Sequence, residues 1–264
     1  AQTLKRISKF GRDEFYSGET AKKIVIYFQK NGGIFTRNDF INYKSTFKMP
    51  LCSTFIDYEV CSMSLPSSGG IVLSQSLNIL ENFNLTSYDH NSLEYNRLLT
   101  EAMRFSFADR SKFLGDSDFN NFDISRITSK KYAKSLSKII KNSSRKIMID
   151  IPGEYLLESE ETTHFSIIDS QGNVVSNTYT LNTAYGSGII VKGTGILMNN
   201  EMDDFSIKPG YPNFFGLVGS EANKVESRKA PLSSMTPTIV FKDGKPYLIT
   251  GSPGGSTIIS TVLQ

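Results

Sequence analysis

The chain of 264 residues is expected to adopt an α+β fold, because its apolar residues keep a helical spacing up to about residue 150 and alternate with period two after it. Twenty glycines suit a chain with many turns, and 39% hydrophobic against 21% charged residues is the balance of a globular protein, not a disordered one. The length exceeds one typical domain, but sandwiches of this size share a core, so one compact unit or two tightly joined parts are expected.

In the first half, residues 19–30 carry Ile24, Val25, Tyr27 and Phe28 at core spacing and meet a left-handed stop at Asn31-Gly32-Gly33. A short helix follows Thr36, which can cap it together with Asp39 three residues on. Residues 53–63 read as a β-hairpin, after which Pro66-Ser67-Ser68-Gly69-Gly70 breaks the chain before an apolar helix at 71–83. Residues 91–114 are helical, with Leu93, Leu98, Met103 and Phe107 in phase, and 128–140 are helical again with lysines on the outer face. The polar, acidic stretch 142–161 is expected to be an exposed linker, the kind of segment where proteolysis occurs.

In the second half, residues 165–169 and 174–180 form a hairpin across Ser170-Gln171-Gly172-Asn173. Residues 238–241 and 247–250 form another across Lys242-Asp243-Gly244-Lys245, and all four are expected to be strands of a central sheet. Gly251-Ser252-Pro253-Gly254-Gly255 then leads into a helix at 256–263.

The 29 basic and 26 acidic residues are dispersed, with no basic block and interleaved aromatics, which argues against nucleic-acid binding. No apolar run is long enough to span a bilayer, and residues 1–6 lack the shape of a signal peptide, so a targeting segment is expected to have been removed or to lie upstream. Cys52 and Cys61 are expected to be two free, largely buried thiols rather than a cross-strand bridge. With His90 and His164 the only histidines, no paired-cysteine motif and no HExxH, a metal site lacks support. There is no G-x-S-x-G elbow, and the glycine loop before the last helix lacks the Lys-Ser/Thr of a phosphate loop.

What remains is a set of hydroxyls, amides and carboxylates behind the acidic linker. A threonine hydroxyl needs a base, and the nearest one for Thr162 is its own α-amino group once the peptide bond before it is cut. That amine titrates near neutrality and can take the hydroxyl proton. Thr162 and Thr163 are equally the β-branched start of a strand. Backbone N–H groups of Gly254 and Gly255 can hold an oxyanion, or the glycines simply make a tight turn. Asp203 and Asp204 can neutralise an ammonium or form a solvated loop, and Ser233-Ser234 can bind a carboxylate or form a turn.

The ordered series Asp13-Glu14-Phe15-Tyr16, Pro66 to Gly70, Ala108-Asp109-Arg110, Leu114-Gly115-Asp116, Thr162-Thr163-His164-Phe165-Ser166, Thr178 to Asn182, Asn199 to Ser206, Pro231 to Met235 and Gly251 to Ser256 resembles the γ-glutamyltransferase (glutathione hydrolase) family over essentially the whole chain. The resemblance implies a four-layer αββα sandwich of the N-terminal-nucleophile hydrolase type, made as one precursor that cuts itself at Glu161–Thr162. Residues 1–161 would be the C-terminal part of its large subunit and 162–264 the N-terminal part of its small, catalytic one. Matched position by position, Thr162 is the nucleophile that forms a γ-glutamyl ester and Thr180 the hydroxyl that orients it. Asn182, Glu201 and Asp204 hold the donor's α-amino group, Ser233 and Ser234 its α-carboxylate, and Gly254 with Gly255 form the oxyanion hole.

Phe215 lies in a stretch, 209–220, that resembles the family's lid loop, where some members carry a tyrosine gate; phenylalanine keeps the wall but loses the hydroxyl. Leu65 and Ser117 replace prolines common in the family's motifs. An arginine that pairs with the substrate carboxylate is expected upstream, none in this stretch being assigned that role, and the stretch is not expected to be fully active alone. The implied donors are glutathione and other γ-glutamyl compounds, the acceptors water or an amino acid or dipeptide, with no cofactor and a periplasmic or secreted location. The alternatives are a related glutaryl-type acylase, from which Glu201 and Asp204 argue away, and an inactive or non-catalytic member.

Overall fold

The computed structural model describes residues 1–142 and 162–264, so the expected linker and Glu161 lie outside the described residues. In chain order come α1 (Gln2–Phe10), α2 (Arg12–Tyr16), α3 (Glu19–Lys30), α4 (Arg37–Asn42), β1 (Leu51–Phe55), β2 (Tyr58–Ser62), α5 (Gly69–Leu80), α6 (Leu93–Phe113), α7 (Ser125–Thr128) and α8 (Lys130–Asn142). From residue 162 on follow β3 (Thr163–Ile168), β4 (Val174–Tyr179), β5 (Ile190–Val191), β6 (Ile196–Leu197), β7 (Thr238–Lys242), β8 (Lys245–Thr250) and α9 (Ile258–Leu263). They form two compact units, Ala1–Lys48 with Tyr185–Asn200, and Met49–Ala184 with Glu201–Gln264.

In the first unit α3 has the expected bounds and stop. Gly33 N–H returns to the Phe28 carbonyl at 2.7 Å with Gly32 at φ 82, a left-handed helix end. The Asp39 carboxylate accepts from Thr36 N–H at 2.7 Å in the expected capping box. Helices α1 and α2, which periodicity did not predict, are tied by polar contacts: Arg6 Nε meets Glu14 Oε1 at 2.6 Å, and Thr3 Oγ1 donates to the Thr194 carbonyl at 2.6 Å.

The second unit is built on a four-stranded antiparallel sheet in the order β1-β2-β7-β8. Helices α5, α6 and α8 pack together around Ile79, Leu98, Ala102, Ala133, Leu136 and Ile140, all buried. Full burial of each Leu or Ile side chain contributes about 1.5–3 kcal/mol. Gly69 and Gly70, expected to break the chain, already belong to α5; a Cβ on Gly69 would lie 2.4 Å from the Met235 carbonyl oxygen, so only glycine lets the helix approach that loop.

Two expectations are corrected here. Cys52 and Cys61 are neither free nor buried: the β1–β2 register sets them directly opposite and they form a disulfide. The cause is the two-residue turn at Ile56-Asp57, which pairs Phe55 with Tyr58 and therefore Cys52 with Cys61. Of the two later hairpins only β7–β8 joins the central sheet. β3–β4 is a separate two-stranded sheet, docked by hydroxyls that replace ladder bonds: Ser166 Oγ donates to the Ile249 carbonyl at 3.3 Å and Ser176 Oγ to that of Thr250 at 2.8 Å. Helices, sheet and hairpin thus lie as successive layers of an α+β sandwich.

Candidate active site

The β3–β4 register pairs Thr163 with Tyr179, which sets Thr162 and Thr180 across from one another at the end of the hairpin. The Thr162 hydroxyl donates to Thr180 Oγ1 at 3.1 Å, and Thr180 Oγ1 also accepts the Asn182 N–H at 2.9 Å. Asn182 is buried at φ 77, a left-handed conformation that asparagine tolerates. Thr162 itself stands at φ 134, which costs a β-branched residue on the order of 1–3 kcal/mol.

Glu201 and Asp204 begin and end a 3₁₀ turn, where residues three apart eclipse, and their carboxyl groups share a hydrogen bond. Burial pushes Glu201 up to about 7, with the charge of Asp204 adding to it. Burial also pushes Asp204 up to about 6, against the pull of the nearby Arg110 cation. The two therefore titrate as one unit. Asp203 turns elsewhere: its carboxylate accepts from Phe214 N–H at 2.9 Å, so of the two adjacent aspartates only Asp204 reaches the pocket.

The loop carrying Ser233 and Ser234 is clamped by the segment before α5. Ser233 N–H donates to the Pro66 carbonyl at 2.9 Å, and its own carbonyl accepts from Ser68 N–H at 2.9 Å and from Ser68 Oγ at 2.8 Å. Ser233 Oγ accepts from Met235 N–H at 3.1 Å, which commits a lone pair and leaves its proton available to a ligand. Ser234 Oγ accepts from Arg110 at 3.2 Å.

Gly254 and Gly255 follow β8 with φ values of 122 and 52, and Thr257 caps the Gly254 carbonyl through both N–H (2.9 Å) and Oγ1 (2.7 Å). The ring of Phe215 rests on Gly255, where a Cβ would come within 2.6 Å of its Cε1. Asn213 holds this turn by accepting from Phe215 N–H at 3.1 Å and Leu217 N–H at 2.9 Å.

One pocket is lined by Thr162, Thr180, Asn182, Asp204, Phe215, Ser233, Ser234 and Gly255. Glu201 and Gly254 stand outside its wall, Glu201 through its hydrogen bond to Asp204 and Gly254 as the residue before Gly255. A hydroxyl pair, a carboxylate and two hydroxyl donors facing one small space can hold an amino acid by both its charges while a threonine attacks its side chain. Two residues with no role assigned from sequence belong to the same construction, Ser68 and Arg110, both buried. The available signal was phase: Leu99, Ala102, Ser106 and Arg110 share the buried face of α6, and an arginine there must have a buried partner.

Among the described residues no helix is long and apolar enough to cross a membrane. The one cluster with metal-ligand chemistry among the described residues, Cys52, Glu59 and Cys61, has both sulfurs committed to the disulfide.

The family model described as Gamma-glutamyltranspeptidase matches residues 1–264. The glutathione hydrolase proenzyme of Escherichia coli (strain K12) is 50% identical over 266 residues, covering 100% of this chain and 46% of that protein. Cephalosporin acylase from Bacillus halodurans superposes with a TM-score of 0.81 at 25% identity, over 100% of this chain and 45% of that one. Helicobacter pylori γ-glutamyltranspeptidase does so with a TM-score of 0.54 at 35% identity, over 59% of this chain and 45% of that one. The chain thus spans about half the length of the curated relatives it matches. The fold is that of the N-terminal-nucleophile hydrolase sandwich. With the family's model matched from end to end and half of all residues shared with a named member, the chain belongs to the gamma-glutamyltranspeptidase family.

Proposed function

We propose that the protein containing this chain is a glutathione hydrolase and γ-glutamyltransferase whose nucleophile is Thr162. The carrying observation is the convergence of Thr162, Thr180, Asn182, Asp204, Ser233, Ser234 and Gly255 on one pocket, from segments up to 93 residues apart in sequence between Thr162 and Gly255. Cleavage of Glu161–Thr162 would separate a large subunit ending at residue 161 from a small one beginning at 162, and free the Thr162 α-amine to act as base. The amine takes the hydroxyl proton as the oxygen attacks the donor's γ-carbonyl, and N–H groups of Gly254 and Gly255 receive the negative oxygen. The leaving amine takes that proton and departs, leaving a γ-glutamyl ester. Water then opens the ester in hydrolysis, or the amine of an amino acid or dipeptide does so in transfer. Asn182, Asp204 and, through Asp204, Glu201 hold the donor ammonium; Ser233 and Ser234 hold its carboxylate. Phe215, lying on Gly255, is the movable wall.

Thr162→Ala in the full-length precursor tests this. The expected outcome is one uncut chain on a denaturing gel and no release of the aniline from a γ-glutamyl anilide, whereas normal cleavage in that variant would overturn the assignment. A threonine found by N-terminal sequencing of the mature small chain would exclude an inactive member.

The likeness to a cephalosporin acylase favours one other reading, a glutaryl-type acylase. It is opposed by Glu201 and Asp204, since an acyl group without an ammonium would leave two buried carboxyls with no charge from the ligand to meet them, Arg110 alone facing Asp204. A preference for glutaryl over γ-glutamyl anilide would decide for it. Export to the periplasm or secretion is part of the proposal, supported by the Cys52–Cys61 disulfide, a bond that persists in oxidising compartments.

A further inference from the structure

Arg110 is 5% exposed, and its guanidinium is anchored on two neutral oxygens: Nε donates to Ser68 Oγ at 2.9 Å and Nη2 to Ser234 Oγ at 3.2 Å. Ser68 Oγ passes the chain on by donating to the Ser233 carbonyl at 2.8 Å. The guanidinium therefore touches both halves of the serine pair, one directly and one through Ser68.

A guanidinium only donates, and a serine hydroxyl has one proton and two lone pairs. With a lone pair of Ser234 committed to Arg110, the Ser234 proton must find an acceptor on another side, and Ser234 lines the pocket that holds Thr162. Arg110 also shares the wall of a second small cavity with Asp204, a residue common to both cavities. Burial, opposed by the charge of Asp204, lowers the Arg110 pKa to about 10, so the side chain is a cation at neutral pH.

We propose that Arg110 is a positioning residue for the donor. From behind the pocket it turns the Ser234 proton toward a bound carboxylate and supplies the charge that favours the ionised form of Asp204 for a bound ammonium. The proposal rests on Ser234 and Asp204 being donor contacts, and it gives one buried cation a part in recognising both charges of the amino acid.

The test uses the full-length, processed protein and two anilides, γ-glutamyl and 4-aminobutanoyl, the second lacking only the α-carboxylate. Their KM values are compared, or inhibition constants where turnover is too slow. Arg110→Lys keeps the charge near Asp204 and loses the two-pronged hold. Its KM for the γ-glutamyl anilide should rise roughly tenfold with kcat changed far less, while the value for the 4-aminobutanoyl anilide stays within about twofold. Adding Ser234→Ala should cost nothing further on the γ-glutamyl donor. Equal losses on both donors, or additive losses in the double variant, would reduce Arg110 to a structural tie and overturn the proposal. Should Arg110→Lys not mature, Ser68→Ala retains the cation and removes one anchor; it should raise KM for the γ-glutamyl donor alone, about threefold, and an unchanged ratio between donors would overturn the proposal. If the wild-type protein itself does not cleave the γ-glutamyl anilide, it is the proposed function that fails.

Discussion

Gly251, where the chain leaves β8 for the loop to Gly254 and Gly255, has no room for a methyl group. A Cβ there would lie 2.2 Å from Cε1 and 2.3 Å from Nδ1 of His164. Carbon atoms in contact sit about 3.5–4.0 Å apart, so in Gly251→Ala either the ring or the loop moves by more than about 1 Å. The ring is held from both ends, Nδ1 at 2.8 Å from Thr178 Oγ1 and Nε2 at 3.1 Å from Ser166 Oγ. Moving it gives up two hydrogen bonds at about 1 kcal/mol each, on top of about 1–3 kcal/mol for overpacking. Moving the loop instead displaces the proposed oxyanion donors, where a misplacement of about 1 Å costs about 10²-fold in rate. The ring's displacement costs about 3–5 kcal/mol, enough that the loop yields as well: stability falls by up to about 3–5 kcal/mol and kcat by about 10- to 100-fold, with KM little changed. Initial rates on a γ-glutamyl anilide and thermal unfolding of the full-length protein measure this. His164→Ala removes the obstacle, so Gly251→Ala with His164→Ala should be faster than Gly251→Ala alone. A kcat within twofold of wild type in the single variant, or no recovery in the double one, would refute the packing argument.

Thr180→Val keeps the shape and removes the oxygen that Thr162 and the Asn182 N–H both address; kcat should drop about 10- to 100-fold, and undiminished turnover would count against the hydroxyl pair. Because the folded pKa values of Glu201 and Asp204 are raised, the folded state retains protons that the unfolded chain has already released. Their contribution to stability is therefore full below the ordinary carboxylate range and is lost as pH rises through about 6 to 7. Ammonium binding needs the ionised pair, so KM for a γ-glutamyl donor should fall across that window while KM for a glutaryl donor does not; parallel profiles would disprove the assignment. Replacing Cys52 and Cys61 together by serine should lower unfolding free energy by up to about 2–3 kcal/mol, as expected for so short a loop, and leave kcat unchanged because the hairpin lends no residue to the pocket.

Much of this site follows from local rules. The turn at 170–173 fixes the hairpin register, and register alone brings Thr162 opposite Thr180, eighteen residues on. The same arithmetic at Phe55 and Tyr58 pairs Cys52 with Cys61, a partnership that the number of cysteines does not reveal and the register does, which is why the free-thiol expectation fails. Arg110 is different. Its partners lie 42 and 124 residues away, and no periodicity or turn chemistry relates those distances. Nor does sequence reveal that β3–β4 docks through Ser166 and Ser176, since a hydroxyl on a strand has the same pattern whether it faces water or a neighbouring carbonyl. Helices α1 and α2 escaped for a similar reason: they are held by contacts of Thr3, Arg6 and Glu14, not by an apolar stripe.

The four-stranded sheet takes β1 and β2 from one side of the proposed cut and β7 and β8 from the other, joined at β2–β7. The smaller unit is likewise braided from Ala1–Lys48 and Tyr185–Asn200. Scission before Thr162 would therefore change covalent connectivity and leave the topology as it was, with two chains interleaved in the four-stranded sheet and in the smaller unit. Neither product could leave without dismantling a shared sheet. Unfolding, by contrast, would become a dissociation: recovery of the uncut chain is unimolecular, whereas the cut pair must find each other again, so its midpoint of denaturation should depend on protein concentration and that of the precursor should not.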